Sequence, residues 1–372
     1  MKSNFDFLNR YWPALAQIGA TAETYVYSDP NACIYKLGMF AERLVQEILV
    51  FEHIAEPAVD NTHANRIRIL KRAGLLPHEI DNTLYVLRKT RNTAVHTGTD
   101  SVDEAKTLLS LTYNLAVWFM ETYGDWGYIA PEFVMPSETT HEDLESVIAE
   151  QERKIEELTK QLAVVKTAAS GKTQKERARR SESVSAMMNW NEAQTRCLID
   201  EQLRLSGWEA DTQNLRYSKG TRPVKGRNIA ISEWPTNSAF YKNGYADYAF
   251  FVGEKLVALM DAKKMSEDVA STIDVQVKDY AAHIKPEDIP HTVGNWNGYQ
   301  VPFLFASNGR AYLEQLRTKS GIWFLDVREQ ENQPYPIRNW FSPSDLMEKL
   351  GQNTAAAVSY THLRAHETLA NL

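Results

Sequence analysis

The sequence predicts a chain of two unlike parts, an antiparallel helical bundle and then a mixed α/β sheet, with a long helix between them. Three observations carry this. Apolar residues recur at helical spacing through the first 135 or so positions. A heptad seam follows. From about 186 onward, short apolar runs alternate with helical stretches, the pattern of a mixed sheet with helices packed on it. The chain has 372 residues, room for two or more domains.

The helical part spans 1–135. "CIYKLGMFAERLVQEILVF" sets Leu37, Ala41, Leu44, Ile48 and Phe51 on one face. Ile67, Leu70, Ile80, Leu84 and Leu87 repeat the pattern, and Leu108, Leu109, Thr112, Leu115 and Phe119 close it. Asp100 or Ser101 can cap the last helix, and Gly124 can end it. Residues 138–185 form the connecting segment. Leu144, Ile148, Gln151, Ile155, Leu158, Leu162 and Val165 alternate spacings of four and three, a short coiled-coil seam with a polar break at Gln151. Such a seam serves oligomerisation, or it packs a long helix on its own domain. "KTAASGKTQKERARR" then turns basic, as a linker or a helix extension able to follow a phosphate backbone. Its "SGKT" is no P-loop. Lys166 stands where a glycine is needed, and no buried strand precedes it.

The α/β part spans 186–341. "NEAQTRCLIDEQLRLSGW" is an amphipathic helix ended by Gly207. Strands are expected around 228–234, 245–252 and 256–262, a helix in "DVQVKDYAAHI", and two more strands in "VPFLFASNG" and "GIWFLDVR". Residues 342–355 read as the start of a linker. The end, 356–372, resembles cloning-adapter read-through, so it is set apart from the fold as a non-native tail, and the natural protein is expected to continue past about residue 355.

The composition is that of a globular protein, with 43% hydrophobic and 24% charged residues. Cys33 and Cys197 offer neither a disulfide framework nor zinc-ligand spacing. With no signal peptide and no membrane-length apolar run, a cytoplasmic protein is expected. A net charge of -7 leaves nucleic-acid binding to local basic patches.

The chemistry concentrates in "YADYAFFVGEKLVALMDAKK". With Gly253-Glu254-Lys255 as a three-residue turn, Val252 pairs with Leu256, and Asp247 faces Asp261 across the hairpin. Like charges directly opposite repel, and a divalent cation between them offsets that repulsion. Lys263 leaves the same strand face as Asp261, placed to polarise water and stabilise charge on a phosphate. The Ala262 carbonyl offers one more oxygen ligand. The bland alternative is a hairpin whose ends reach solvent with a plain Asp–Lys surface pair.

This arrangement resembles the PD-(D/E)xK nuclease superfamily, with Asp261 at the second acidic position and Ala246 in place of the proline. Gln276 and Tyr280 resemble the Q-x-x-x-Y signature of RecB-like members. One helical turn apart, they can contact the DNA backbone or orient the site. The helix from Asn191 resembles the first helix of the nuclease domain in the restriction (motor) subunit of type I restriction–modification enzymes, where the early acid, here Glu192, faces the metal. Glu201 is the fallback. "VPFLFASNGR", "GIWFLDVR" and "IRNWFSPSDL" extend the resemblance over about 186 to 350. It implies a restriction-endonuclease-like mixed sheet and Mg²⁺-dependent cleavage of double-stranded DNA. It also implies partner modification and specificity subunits, no membrane, and ATP used only by a motor beyond this segment.

The N-terminal part carries "LRKTRNTAVH", with Arg91, Asn92 and His96. It resembles the HEPN superfamily, some of whose members are metal-independent ribonucleases. That gives a second reading, with His96 as base and Arg91 holding the phosphate. The structural alternative is that these polar groups satisfy a neighbouring helix. A third reading is a non-catalytic assembly module.

Overall fold

The computed structural model describes residues 3–56, 59–97, 101–138, 144–159, 167–238, 244–267, 269–312, 314 and 317–351. The chain divides into two compact units, Met1–Asn189 and Trp190–Leu372. The tail from 352 onward, Leu162 and Val165 lie outside the described residues.

The first unit is helical. Its elements are α1 (Pro13–Ser28), α2 (Pro30–Phe51), α3 (His63–Arg72), α4 (His78–Thr97), α5 (Val102–Phe119), α6 (Leu144–Thr159) and α7 (Gln174–Met187). Asp29 caps α2, with Pro30 in its first turn. Ser101 caps α5 by accepting from the Glu104 N–H at 3.2 Å. A π-turn over Met120–Gly124 extends α5 before the chain leaves it. Gly19 lets the Phe5 ring lie against α1, for a Cβ there would meet that ring at 2.3 Å.

The heptad helix turns its seam into its own unit. The polar break is satisfied there: Gln151 Oε1 accepts from Thr24 Oγ1 of α1 at 3.3 Å. Ile155 is buried, and Lys36 of α2 reaches Glu152 at 2.6 Å. The basic stretch is likewise docked, because α7 is a capped helix and not a free linker. Thr173, the last residue of "SGKT", accepts from the Glu176 N–H at 3.3 Å. Arg177 is buried against Glu52, with Nε 2.7 Å from Oε1, and Arg180 turns to the carbonyls of Glu121 and Trp126. Lys175 and Arg179 stay exposed.

The second unit is a seven-stranded mixed sheet in the order β1 (Glu209–Ala210), β2 (Asn228–Pro235), β3 (Tyr245–Val252), β4 (Lys255–Ala262), β5 (Phe303–Ser307), β6 (Ile322–Asp326) and β7 (Tyr335–Pro336). The β1–β2 and β4–β5 pairs are parallel and the others antiparallel. The two short edge strands carry too few residues to be read as strands from sequence. One sheet face packs Ile229, Leu259, Leu304 and Leu325 against Ile273, Val277 and Tyr280, from the helical stretch α9 (Ala270–Thr272), a π-turn (Ile273–Val277) and α10 (Lys278–Ala282). The other packs Phe250, Met260 and Phe305 against Ile199 and Leu203 of α8 (Glu192–Leu205) and Leu346 of α11 (Pro343–Gly351). The segment expected to start a linker at 342 thus forms a helix whose Leu346 is fully buried in this core.

The central hairpin differs from expectation at its turn. Val252 pairs with Lys255, giving a two-residue loop with Gly253 at φ +61°. A bulge between Phe250 and Phe251 then shifts the register, so that Phe250 meets Ala258 and Tyr248 meets Met260. The bulge restores the pairing that a three-residue turn would have given. Asp247 and Asp261 therefore stand one step beyond the last laddered pair.

Candidate functional site

At that end of the sheet lies a cavity of about 240 Å³ lined by Glu192, Arg196, Gly244, Tyr245, Asp247, Asp261, Ala262, Lys263, Gln276 and Tyr280. The residues singled out as a nuclease set from sequence, scattered from 192 to 280, come together here. Glu201 does not line the cavity. It is buried elsewhere on α8, paired with Arg204 at 2.9 Å.

The strands supply the acids. Asp261 is the last residue but one of β4, within its buried run and beside Ala306 of β5. Asp247 sits near the start of β3, and its Oδ2 accepts from the Ala262 N–H at 2.6 Å. Both carboxylates are almost fully buried. Burial pushes each above the ordinary carboxylate range. Asp247 is pulled back by Arg196 and pushed further by Asp261, and Asp261 is pulled back mainly by Lys263.

Lys263 Nζ lies 2.6 Å from Asp261 Oδ2 and donates to Gln276 Oε1 at 2.9 Å. Gln276 Nε2 in turn donates to Tyr280 Oη at 2.7 Å. The Q-x-x-x-Y pair thus forms a chain of hydrogen bonds ending on the lysine. Burial opposes the Lys263 charge, but Asp261 and Asp247 outweigh it and the ammonium is held protonated.

Two charged residues escaped the sequence reading. Arg196 donates from Nη2 to Asp247 and also reaches Glu192 Oε1 at 2.7 Å. Its spacing of four from Glu192 on α8 was the available signal. Glu233, on β2, stands 3.6 Å from Arg196 Nη1 and 3.2 Å from Arg216 Nη2. No periodicity announces it, because its backbone leaves the strand conformation at φ +54°. Under Arg196, Tyr248 Oη donates to Asp200 Oδ1 at 2.8 Å and the Thr212 N–H donates to Asp200 Oδ2 at 2.7 Å, tying α8 to the sheet. Burial raises the Asp200 carboxyl to about 6.

The donor set fits a hard divalent cation in one respect. Two buried carboxylates share a wall, and Mg²⁺ is commonly held by one or two carboxylates with water completing its shell. Among the described residues, no group of three acids, histidines or cysteines is close enough to form a ready cage. Glu192 reaches the cavity through Arg196, with its carboxylate half-exposed.

The ribonuclease candidates lie in the first unit. Arg91 Nη1 is engaged by Glu42 Oε2 at 2.6 Å and lies over the Tyr35 ring. Asn92 is exposed, and the His96 side chain lies outside the described residues.

The second unit is a mixed α/β domain with paired acids and a lysine gathered at one end of its central strands. Residues 209–350 match the family model of the type I restriction enzyme EcoKI endonuclease subunit second domain. The chain is similar to the type I restriction enzyme EcoKI endonuclease subunit of Escherichia coli (strain K12), 29% identical over 424 aligned residues. That alignment covers 94% of this chain and 36% of the relative, so the chain spans about a third of the relative's length. No solved structure matches it. Among the described residues no helix is long and apolar enough to cross a membrane.

Proposed function

We propose that the second unit is the DNA-cleaving module of a type I restriction subunit, hydrolysing phosphodiesters with Mg²⁺. The observation that carries this reading is the meeting of Asp247, Asp261, Lys263, Gln276 and Tyr280 in one cavity, inside the segment that matches the restriction-subunit domain.

Asp247 and Asp261 would hold the ion, with the Ala262 carbonyl and Glu192 as further oxygen donors. When bound, the ion supplies Lewis acidity to the phosphate and lowers the pKa of water. Lys263, held as a cation, stabilises negative charge on the phosphate and orients the attacking water through its N–H groups. Gln276 accepts from the same ammonium and helps fix it. Sequence choice belongs to modification and specificity subunits, and ATP use to a motor outside this segment.

The test is a nicking assay with Mg²⁺ on the complete enzyme with its partner subunits and ATP. Asp261→Asn should abolish cleavage while DNA binding and melting temperature persist. Glu254→Ala, in the turn at the far end of the hairpin, should cut normally. Full activity in Asp261→Asn would remove the site. RNA cleavage that survives EDTA and is lost in Arg91→Ala would favour the helical unit as a ribonuclease instead.

A further inference from the structure

Arg196 places a positive charge where the proposed cation must bind. Its Nη2 contacts both Asp247 and Glu192, while its Nη1 stands 3.6 Å from Glu233, beyond a hydrogen bond. Nε is buried without a hydrogen-bond partner, so the hydrogen bonds of the guanidinium to the acids run through Nη2, with Nη1 at ion-pair distance from Glu233. Two cations on the same buried carboxylates repel strongly. A divalent ion on Asp247 therefore requires the guanidinium to leave.

The structure provides somewhere for it to go. Glu233 does not line the cavity. Its neighbours Ser232 and Trp234 pair with Tyr248 and Ala246, but the step between them, Glu233 opposite Asp247, is not laddered. The φ of +54° at Glu233 is a conformation that non-glycine residues seldom adopt, and strain of this kind persists where the surroundings hold it. It breaks the alternation of β2, so that Ile231 and Trp234 enter the same core. Arg216 steadies the Glu233 carboxylate from a second direction at 3.2 Å. The acid is thus held beside Arg196 without sharing the ion's cavity.

We propose that Glu233 is a positioning residue of the metal site: it takes the Arg196 guanidinium when a divalent cation takes Asp247 and Glu192. Arg196 is then the placeholder that keeps the acids together in the ion-free protein. The inference rests on the metal-dependent reading above and adds the exchange that lets the ion in. It concerns binding and not the bond cleavage itself.

The experiment is Mn²⁺ titration by calorimetry on this chain without DNA, with melting temperature recorded for each variant. The wild-type chain should bind Mn²⁺, and Asp261→Asn should not. Glu233→Gln should bind about tenfold more weakly, because the guanidinium has lost its alternative seat. Glu233→Gly, which accepts the positive φ without strain, should show the same loss and so separates the missing carboxylate from misfolding. Arg196→Gln added to Glu233→Gln should restore affinity to the wild-type value or better, since the competing charge is gone. Wild-type affinity in both Glu233 variants, or no rescue in the double variant, would overturn the exchange while leaving the metal site standing. Absence of Mn²⁺ binding in the wild-type chain would overturn the metal reading and the exchange together.

Discussion

Lys263 and Asp261, two residues apart where β4 ends, form an ion pair at 2.6 Å, and Gln276 Oε1 accepts from the same ammonium at 2.9 Å. The ammonium is thus fixed between a charged and a neutral acceptor. Lys263→Ala should lose cleavage by about a hundredfold or more, as loss of a charge-stabilising donor does. Gln276→Leu should lose about tenfold, the scale of removing a supporting partner. Tyr280→Phe, one hydrogen bond further out, should lose less. Nicking rates give the order, and unchanged Mn²⁺ affinity in Gln276→Leu would place the effect on the lysine.

The hairpin shows how a sequence reading can reach the right pairing through a wrong turn. The two-residue loop needs Gly253 at φ +61°. Gly253→Ala should destabilise the second unit by about 1 kcal/mol, and Glu254→Ala by almost nothing. Urea melts of the two variants measure this.

The elements legible in the sequence are those with strong periodicity, such as the helices around Leu44 and Leu109 and the buried runs of β3, β4, β5 and β6. The acids and the lysine were legible because strand alternation ties their faces to a buried run. The bulge at Phe250 was not, since the alternation of apolar residues disappears where every position is buried. Arg196 and Glu233 were missed for another reason. Arg196 carries only the ordinary four-residue spacing from Glu192, and its contact with Asp247, like the contacts of Glu233, is made by tertiary packing.

The heptad helix makes a separate prediction. Ile155 is buried and Gln151 is bonded to Thr24 within one chain. Ile155→Asp should therefore destabilise the helical unit by about 2 kcal/mol or more without changing the oligomeric state. Chemical melts read the first effect and light scattering the second. A shift from dimer to monomer with unchanged stability would instead assign the seam to self-association.

The helical unit contains a buried histidine outside every motif. His63 opens α3, and both its ring nitrogens are buried without hydrogen-bond partners. Glu42 of α2, Arg66 of α3 and Arg88 and Arg91 of α4 surround it. Burial, reinforced by the three arginines against Glu42, lowers its pKa from 6.5 to about 4. Between these two values the unfolded chain binds the proton and the folded chain does not, so stability falls as pH drops through that window. The full loss is on the order of 3 kcal/mol. His63→Leu removes the proton site without adding a polar group. The variant should lose less stability than the wild type between about pH 7 and about pH 4.5, because one linked proton is gone. Urea midpoints at the two pH values test it, and equal losses in both proteins would show that His63 is not the group that titrates.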